Sequence, residues 1–167
     1  MRIGILSDVH GQVRRLRSAL EALAQGGADA VVVCGDLGCG EALRALGRCG
    51  LPAYAVAGNV DAALGDLDQV AAEAGVTFDR NSVEIPIGPG RHLAVTHGHT
   101  HLLDDLVASQ QFPYVCHGHT HRQADQRVGS ARVINPGALH HPRQPHYPTA
   151  VILDTQTDEL EVLAVEP

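Results

Sequence analysis

Tryptophan is absent from the chain, and aromatic residues of every kind amount to 3%, two Phe and three Tyr among them. A core so poor in aromatics must be built from Val, Leu, Ile and Ala. Basic residues are also scarce. Twelve Lys and Arg stand against 19 Asp and Glu, for a net charge of −7. That balance excludes a broad basic surface for nucleic acid. No apolar run approaches the ~20 residues that a membrane span needs. None of Cys34, Cys39, Cys49 and Cys116 forms a C-x-x-C pair, so a zinc ribbon or thioredoxin-type motif is not indicated. The cysteines read as small, reduced, mostly buried residues of a cytoplasmic protein. The opening Met1–Leu6 is broken by Ser7-Asp8 too soon to be a secretory apolar segment.

What the chain has in excess is histidine, 11 residues, together with 18 Gly. Imidazole is the commonest metal ligand and the side chain closest to neutrality in its titration. With 167 residues, 44% of them hydrophobic, the chain is long enough to bury a core without disulfides. No linker or low-complexity tract divides it, so a single domain over 1–167 is expected.

The first half alternates strand and helix. Strands are predicted at 2–7, 29–34 and 52–57, and helices at 12–25, 41–48 and 61–74. The run Val31-Val32-Val33 suits a strand covered on both faces. This alternation argues for α/β architecture with parallel strands. In the second half, short strands are predicted at 82–87, 91–96, 113–116, 124–128, 131–134, 149–154 and 159–165, with one helix near 101–110.

Polar residues gather where the predicted strands end: Ser7-Asp8-Val9-His10-Gly11, Cys34-Gly35-Asp36, Gly58-Asn59-Val60-Asp61, His97-Gly98-His99 and His117-Gly118-His119-Thr120-His121. Ligands of α/β sheets bind outside the carboxyl ends of strands, so these five ends are expected to meet. Their donors are oxygen and nitrogen without thiolate, which suits Mn²⁺, Fe or Zn²⁺. They exceed what one tetrahedral ion can use, and two ions sharing a carboxylate is the economical arrangement. Glycines at 11, 35, 58, 98 and 118 are expected to let backbones crowd the ions. The segment His97-Gly98-His99-Thr100-His101 recurs at 117–121, so chemistry alone allows either copy to supply a ligand pair.

Asp8-x-His10, Gly35-Asp36, Gly58-Asn59-x-Asp61, His97 and Gly118-His119-x-His121 resemble, in order, the motif series of the calcineurin-like metallophosphoesterases, with Asn135-Pro136-Gly137 extending the match. Within that superfamily the chain resembles the small single-domain phosphodiesterases, themselves similar to the small scaffold subunit of retromer. The resemblance implies a β-sandwich core flanked by helices, an αββα architecture. It implies that Asp8, His10 and His121 bind one divalent ion, that Asn59, His97 and His119 bind a second, and that Asp36 bridges both. Motif order favours His119 and His121 over His99 and His101 as the closing pair. Two divalent ions, Mn²⁺ foremost with Fe, Ni²⁺ or Zn²⁺ as alternatives, would then serve a metal-dependent phosphodiesterase. A hydroxide held between the ions would attack phosphorus in line. A small phosphodiester is the implied partner. An inactive protein-binding scaffold and a phosphomonoesterase are the alternatives, and homo-oligomerisation is left open.

The ligand charges agree with a phosphate substrate. Two divalent ions bring +4 and only Asp8 and Asp36 are anionic, which leaves +2 in an acidic protein. One position departs from the family pattern. Val60 stands where the superfamily usually has a His that protonates the leaving oxygen. His99, two residues beyond His97, is the candidate substitute acid. Asp61 is expected to support the site or cap a helix rather than ligate. Arg14, Arg15 and Arg17 read as a solvated helix face, with contact to a substrate phosphate as the alternative, and His140, His141 and His146 as an ordinary Pro-rich loop, with a place at the rim of the site as the alternative.

Overall fold

The apolar strands of the first half are covered on both faces, and this requirement sets the layers of the fold. In the computed structural model, which describes residues 1–166, two sheets stack face to face with helices on the outside. The first sheet is ordered β11-β10-β1-β2-β3-β4. Its strands are β1 (Arg2–Leu6), β2 (Ala30–Val33), β3 (Ala53–Val56), β4 (Thr77–Asp79), β10 (Thr149–Asp154) and β11 (Glu159–Ala164). β1, β2, β3 and β4 run parallel, and β10 joins β1 antiparallel. The second sheet is ordered β5-β6-β7-β9-β8. It comprises β5 (Ser82–Gly88), β6 (Arg91–Thr96), β7 (Tyr114–Cys116), β8 (Gln123–Val128) and β9 (Ala131–Pro136). Its middle strands β6, β7 and β9 are parallel.

Side-chain alternation divides the core in two. Ile3, Ile5, Ala30, Val32, Val151 and Leu153 point from the first sheet towards Ile85, Leu93, Val95, Cys116 and Ile134 of the second. Leu6, Val31, Val33 and Ile152 point the other way, onto α1 (Val13–Gln25), α2 (Gly40–Gly47) and α3 (Leu67–Ala74). Helix α1 presents Leu16, Ala19, Leu20 and Leu23 at helical spacing to that face. Each such fully buried aliphatic side chain contributes about 1.5–3 kcal/mol. Helix α4 (Leu102–Ser109) covers the outer face of the second sheet without a fully buried residue. The layers are therefore helix, sheet, sheet, helix, as the family resemblance implies. No helix among the described residues is long and apolar enough to cross a membrane.

Two local expectations are corrected. The helix expected over 61–74 is a 3₁₀ turn, Asn59–Asp61, followed by an irregular stretch and then α3 from Leu67. The Asp61 carboxylate accepts hydrogen bonds from the N–H groups of Leu37, Gly38 and Gly58, and these two long-range bonds and one local bond win over helix propensity. The strand β4 is absent from the sequence reading. Three residues carry too little periodicity to be seen, and β4 exists because β3 offers it a parallel edge.

Candidate metal centre

The parallel strands β1, β2 and β3 of one sheet and β6 and β7 of the other bring their carboxyl ends to the same edge of the sandwich. Asp8 follows β1, Asp36 follows β2, Asn59 follows β3, His97 follows β6, and His119 and His121 follow β7. Backbone bonds lock these ends together: Asp8 N–H donates to Gly35 O at 3.1 Å, His10 N–H to Asp36 O at 2.8 Å and Gly118 N–H to His97 O at 3.0 Å. All seven residues that the motif series singled out meet here.

They form two half-sets with Asp36 between them. Asp8, His10, Asp36 and His121 each offer one donor atom, and the four atoms lie within 4.8 Å of one another. His121 Nε2 is 3.2 Å from Asp8 Oδ1, and His10 Nε2 is 3.3 Å from Asp36 Oδ2. On the other side, His97 Nε2 is 3.4 Å from Asp36 Oδ1 and 3.1 Å from Asn59 Oδ1. His119 Nδ1 lies 3.0 Å from the same Asn59 oxygen.

The tautomers assigned by these contacts make the arrangement informative. His97 Nδ1 faces Cys34 O at 2.7 Å, and His121 Nδ1 faces His141 O at 2.9 Å. A carbonyl only accepts, so each Nδ1 carries a proton and each ring presents its Nε2 inward. Those nitrogens face carboxylate oxygens, His97 at 3.4 Å from Asp36 and His121 at 3.2 Å from Asp8. Asp8 Oδ1 and His10 Nε2 are buried yet have no hydrogen-bond partner among the described residues. Inward-facing, unpartnered oxygen and nitrogen donors at these separations fit divalent cations.

Backbone strain is concentrated in the same place. Asp8, His10, Asp36, His119 and His121 all have positive φ, between 46° and 66°. Such conformations cost about 1–3 kcal/mol each and cluster at functional sites. Close packing also meets expectation at four glycines, a Cβ on Gly98 lying 3.1 Å from His117 Nδ1. A Cβ on Gly58 would sit 2.1 Å from Asp36 Oδ1, one on Gly118 would sit 1.8 Å from Ser7 Oγ, and one on Gly35 would sit 2.5 Å from His97 Nδ1. Gly11 corrects the expectation, since no atom within 4 Å would meet its Cβ. Its φ of +74° is what favours glycine there.

Burial and charge pull the two carboxylates apart. Burial pushes the Asp8 carboxyl above its ordinary value, against Ser7, His97 and His121. Burial pushes Asp36 up as well, but the His97 hydrogen bond and the Val60 N–H outweigh it and hold Asp36 low. For His97, burial lowers the pKa, and bonding to Asp36 and to the Cys34 carbonyl more than reverses this.

The remaining sequence candidates fall around this centre. His99 is exposed, with its ring centroid 5.3 Å from His97 and 6.1 Å from His119. Burial, then the neighbouring His97 and His119, depress its pKa. His101 is exposed and stands just before α4, and the second copy of the repeated segment supplies the inward pair. Asp61 is fully buried and supports the site through the three N–H groups it accepts. Asn135 donates to Gly118 O at 2.8 Å and to Thr120 Oγ1 at 3.1 Å, bracing the His119 turn. Val60 is 38% exposed beside Asn59 and offers no side-chain proton.

Two expectations about peripheral residues change. Arg14 is exposed and Arg17 pairs with Glu41 on the surface, but Arg15 turns inward and donates to Leu139 O at 2.6 Å. The loop around His140 is not ordinary either, because the His140 ring lies 5.4 Å from His10. Sequence spacing gives no sign of either contact, as each joins segments more than a hundred residues apart.

Residues 1–158 match the family model described as the calcineurin-like phosphoesterase superfamily domain. The chain is 29% identical to Phosphodiesterase MJ0936 of Methanocaldococcus jannaschii over 99% of its own length and 100% of that protein's. A solved archaeal phosphodiesterase superposes with a TM-score of 0.87 at 26% identity, covering 99% of this chain and 100% of that one. Wild-type Vps29 of Entamoeba histolytica, solved with zinc, superposes with a TM-score of 0.65 at 20% identity, covering 97% of this chain and 90% of that one, and shares the fold. Layer order, converging strand ends and the match over 1–158 together place the chain in the calcineurin-like phosphoesterase superfamily.

Proposed function

We propose that the chain is a dinuclear metal-dependent phosphodiesterase that hydrolyses small phosphate diesters by in-line attack of water on phosphorus. The observation that carries this reading is the geometry of Asp36. Its Oδ2 faces the His10 side and its Oδ1 faces the His97 side, so one carboxylate serves both half-sets.

Asp8, His10 and His121 would hold one cation with Asp36, and Asn59, His97 and His119 the other. Bound divalent ions supply Lewis acidity to phosphoryl oxygens and lower the pKa of a water to about 7. The chain does the rest. The Cys34 and His141 carbonyls fix the tautomers of His97 and His121. Asp61 fixes the Asp36 loop through the amides of Leu37 and Gly38. His99, at the mouth beside His97 and His119, gives its proton to the leaving alkoxide.

Two features support diesters over monoesters. Two of the relatives above carry the name phosphodiesterase, and Val60 stands where the wider superfamily usually places a proton donor next to Asn59. Against the inactive-scaffold reading, in which altered ligands are expected, all seven positions here are filled by ligand-competent residues. Four free cysteines fit the reducing cytoplasm, where we place the protein.

The test is a matched assay of bis(p-nitrophenyl) phosphate and p-nitrophenyl phosphate. It is run before chelation, after chelation and after readdition of Mn²⁺, with Asp36→Asn as control. Diester hydrolysis should vanish with the metal and return with it, and Asp36→Asn should lose at least about a hundredfold. Hydrolysis that survives chelation rejects the reading.

A further inference from the structure

The centre is flanked by two imidazoles outside the seven inward-facing residues. His99 lies over the His97 and His119 side, and His140 over the His10 side. The proposed reaction uses the first and leaves the second without a task.

His140 is placed by a built support. Leu139 N–H donates to Ser7 O at 3.1 Å, and His140 N–H donates to Asp8 O at 3.0 Å, so this loop is tied to the chain leaving β1. From the helix layer, Arg15 reaches in and donates to Leu139 O at 2.6 Å. Its Nε is buried and has no partner among the described residues, a cost that a solvated arginine would not carry. His140 itself is half-buried, so its ring lies against His10 and still reaches solvent. An imidazole offers an N–H donor in either protonation state.

We propose that His140, held beside His10 by Arg15, donates a hydrogen bond to a non-bridging oxygen of the bound phosphate ester and sets substrate affinity. Arg15 acts through His140 and is a positioning residue. Such a bond is made equally to substrate and transition state, so it appears in KM and not in kcat. The inference rests on the phosphodiesterase reading, and the experiment separates the two.

His140→Phe keeps a ring against His10 and removes the donor, while His140→Asn restores an N–H. With Mn²⁺ loaded, His140→Phe should raise KM for bis(p-nitrophenyl) phosphate about tenfold, with kcat within about twofold of the parent. Calorimetric affinity for inorganic phosphate should fall by a similar factor, and His140→Asn should recover most of both. Mn²⁺ affinity should be unchanged, which separates loss of the donor from a disturbed His10. Arg15→Met should follow His140→Phe, and the double variant should lose no more than His140→Phe alone. Unchanged KM and phosphate affinity in His140→Phe, or losses that track lost Mn²⁺, overturn the proposal. If the parent binds phosphate through His140 yet hydrolyses nothing, only the hydrolase reading fails. If it hydrolyses diesters with KM and phosphate binding indifferent to His140, only this one fails.

Discussion

His97 Nδ1 lies 2.7 Å from the carbonyl oxygen of Cys34, and this contact ties an imidazole of the second sheet to the end of a strand in the first. Cys34 stands two residues before Asp36. The segment that carries the shared carboxylate therefore also decides which nitrogen of His97 turns inward. The two half-sets are linked through backbone, and displacement of one strand end disturbs both.

Asp61 shows how much of this order is held from behind. It is fully buried and accepts three backbone N–H bonds, from Leu37, Gly38 and Gly58, at 2.8–2.9 Å. Asp61→Ala leaves those amides without an acceptor. The expected loss is about 3 kcal/mol in urea unfolding of the metal-free protein, with weaker Mn²⁺ binding. Asp61→Asn keeps one acceptor oxygen and should lose less. Stability equal to the parent's in Asp61→Ala would mean that water satisfies these amides.

The role given to His99 separates substrates by leaving group. A p-nitrophenolate needs little help from an acid, whereas an alkoxide needs a proton. His99→Ala should lower kcat on an alkyl diester by about a hundredfold and on bis(p-nitrophenyl) phosphate by less than about tenfold. Equal losses on the two would remove the acid role.

Far from the centre, Arg132 joins the second sheet to the β10–β11 turn. It reaches Asp125 at 2.7 Å and Asp158 at 2.9 Å. The Arg132 hydrogen bond holds the Asp125 carboxyl below its ordinary value. Burial raises Asp158, but Arg132, Tyr114 and Arg127 outweigh it and hold it low as well. A carboxyl depressed in the folded state adds stability above its unfolded pKa, about 3.9, and that stability is lost as pH falls through the folded value. The double variant Asp125→Asn, Asp158→Asn should therefore melt below the parent at pH 7. The gap should close as pH falls below about 4. Thermal unfolding across pH 3–7 checks this, and a gap that widens in acid contradicts it.

The strand ends with their Asp, His and Asn were legible because both signals are local. An apolar run of four to six residues marks a strand, and a polar cluster after it marks what that strand delivers. The layer architecture followed from motifs spread from Asp8 to His121. β4 was not legible, because three residues have no period of their own. The 3₁₀ turn at Asn59–Asp61 was hidden too, since Asp61 is held by amides 23 and 24 residues away in the chain.

Which residue types carry the chemistry, and that they stand at strand ends, the chain determined alone, because adjacency along the backbone is enough to write it. Motif order already favoured His119 and His121 and a bridging Asp36; only the tertiary structure decided which ring nitrogen of His97 and His121 turns inward, which Asp36 oxygen faces which half-set, and that Arg15 props the loop of His140. Those relations are distances between segments remote in the chain. They are set by how two twisted sheets stack and which carbonyl each ring nitrogen meets, and no local pattern encodes them.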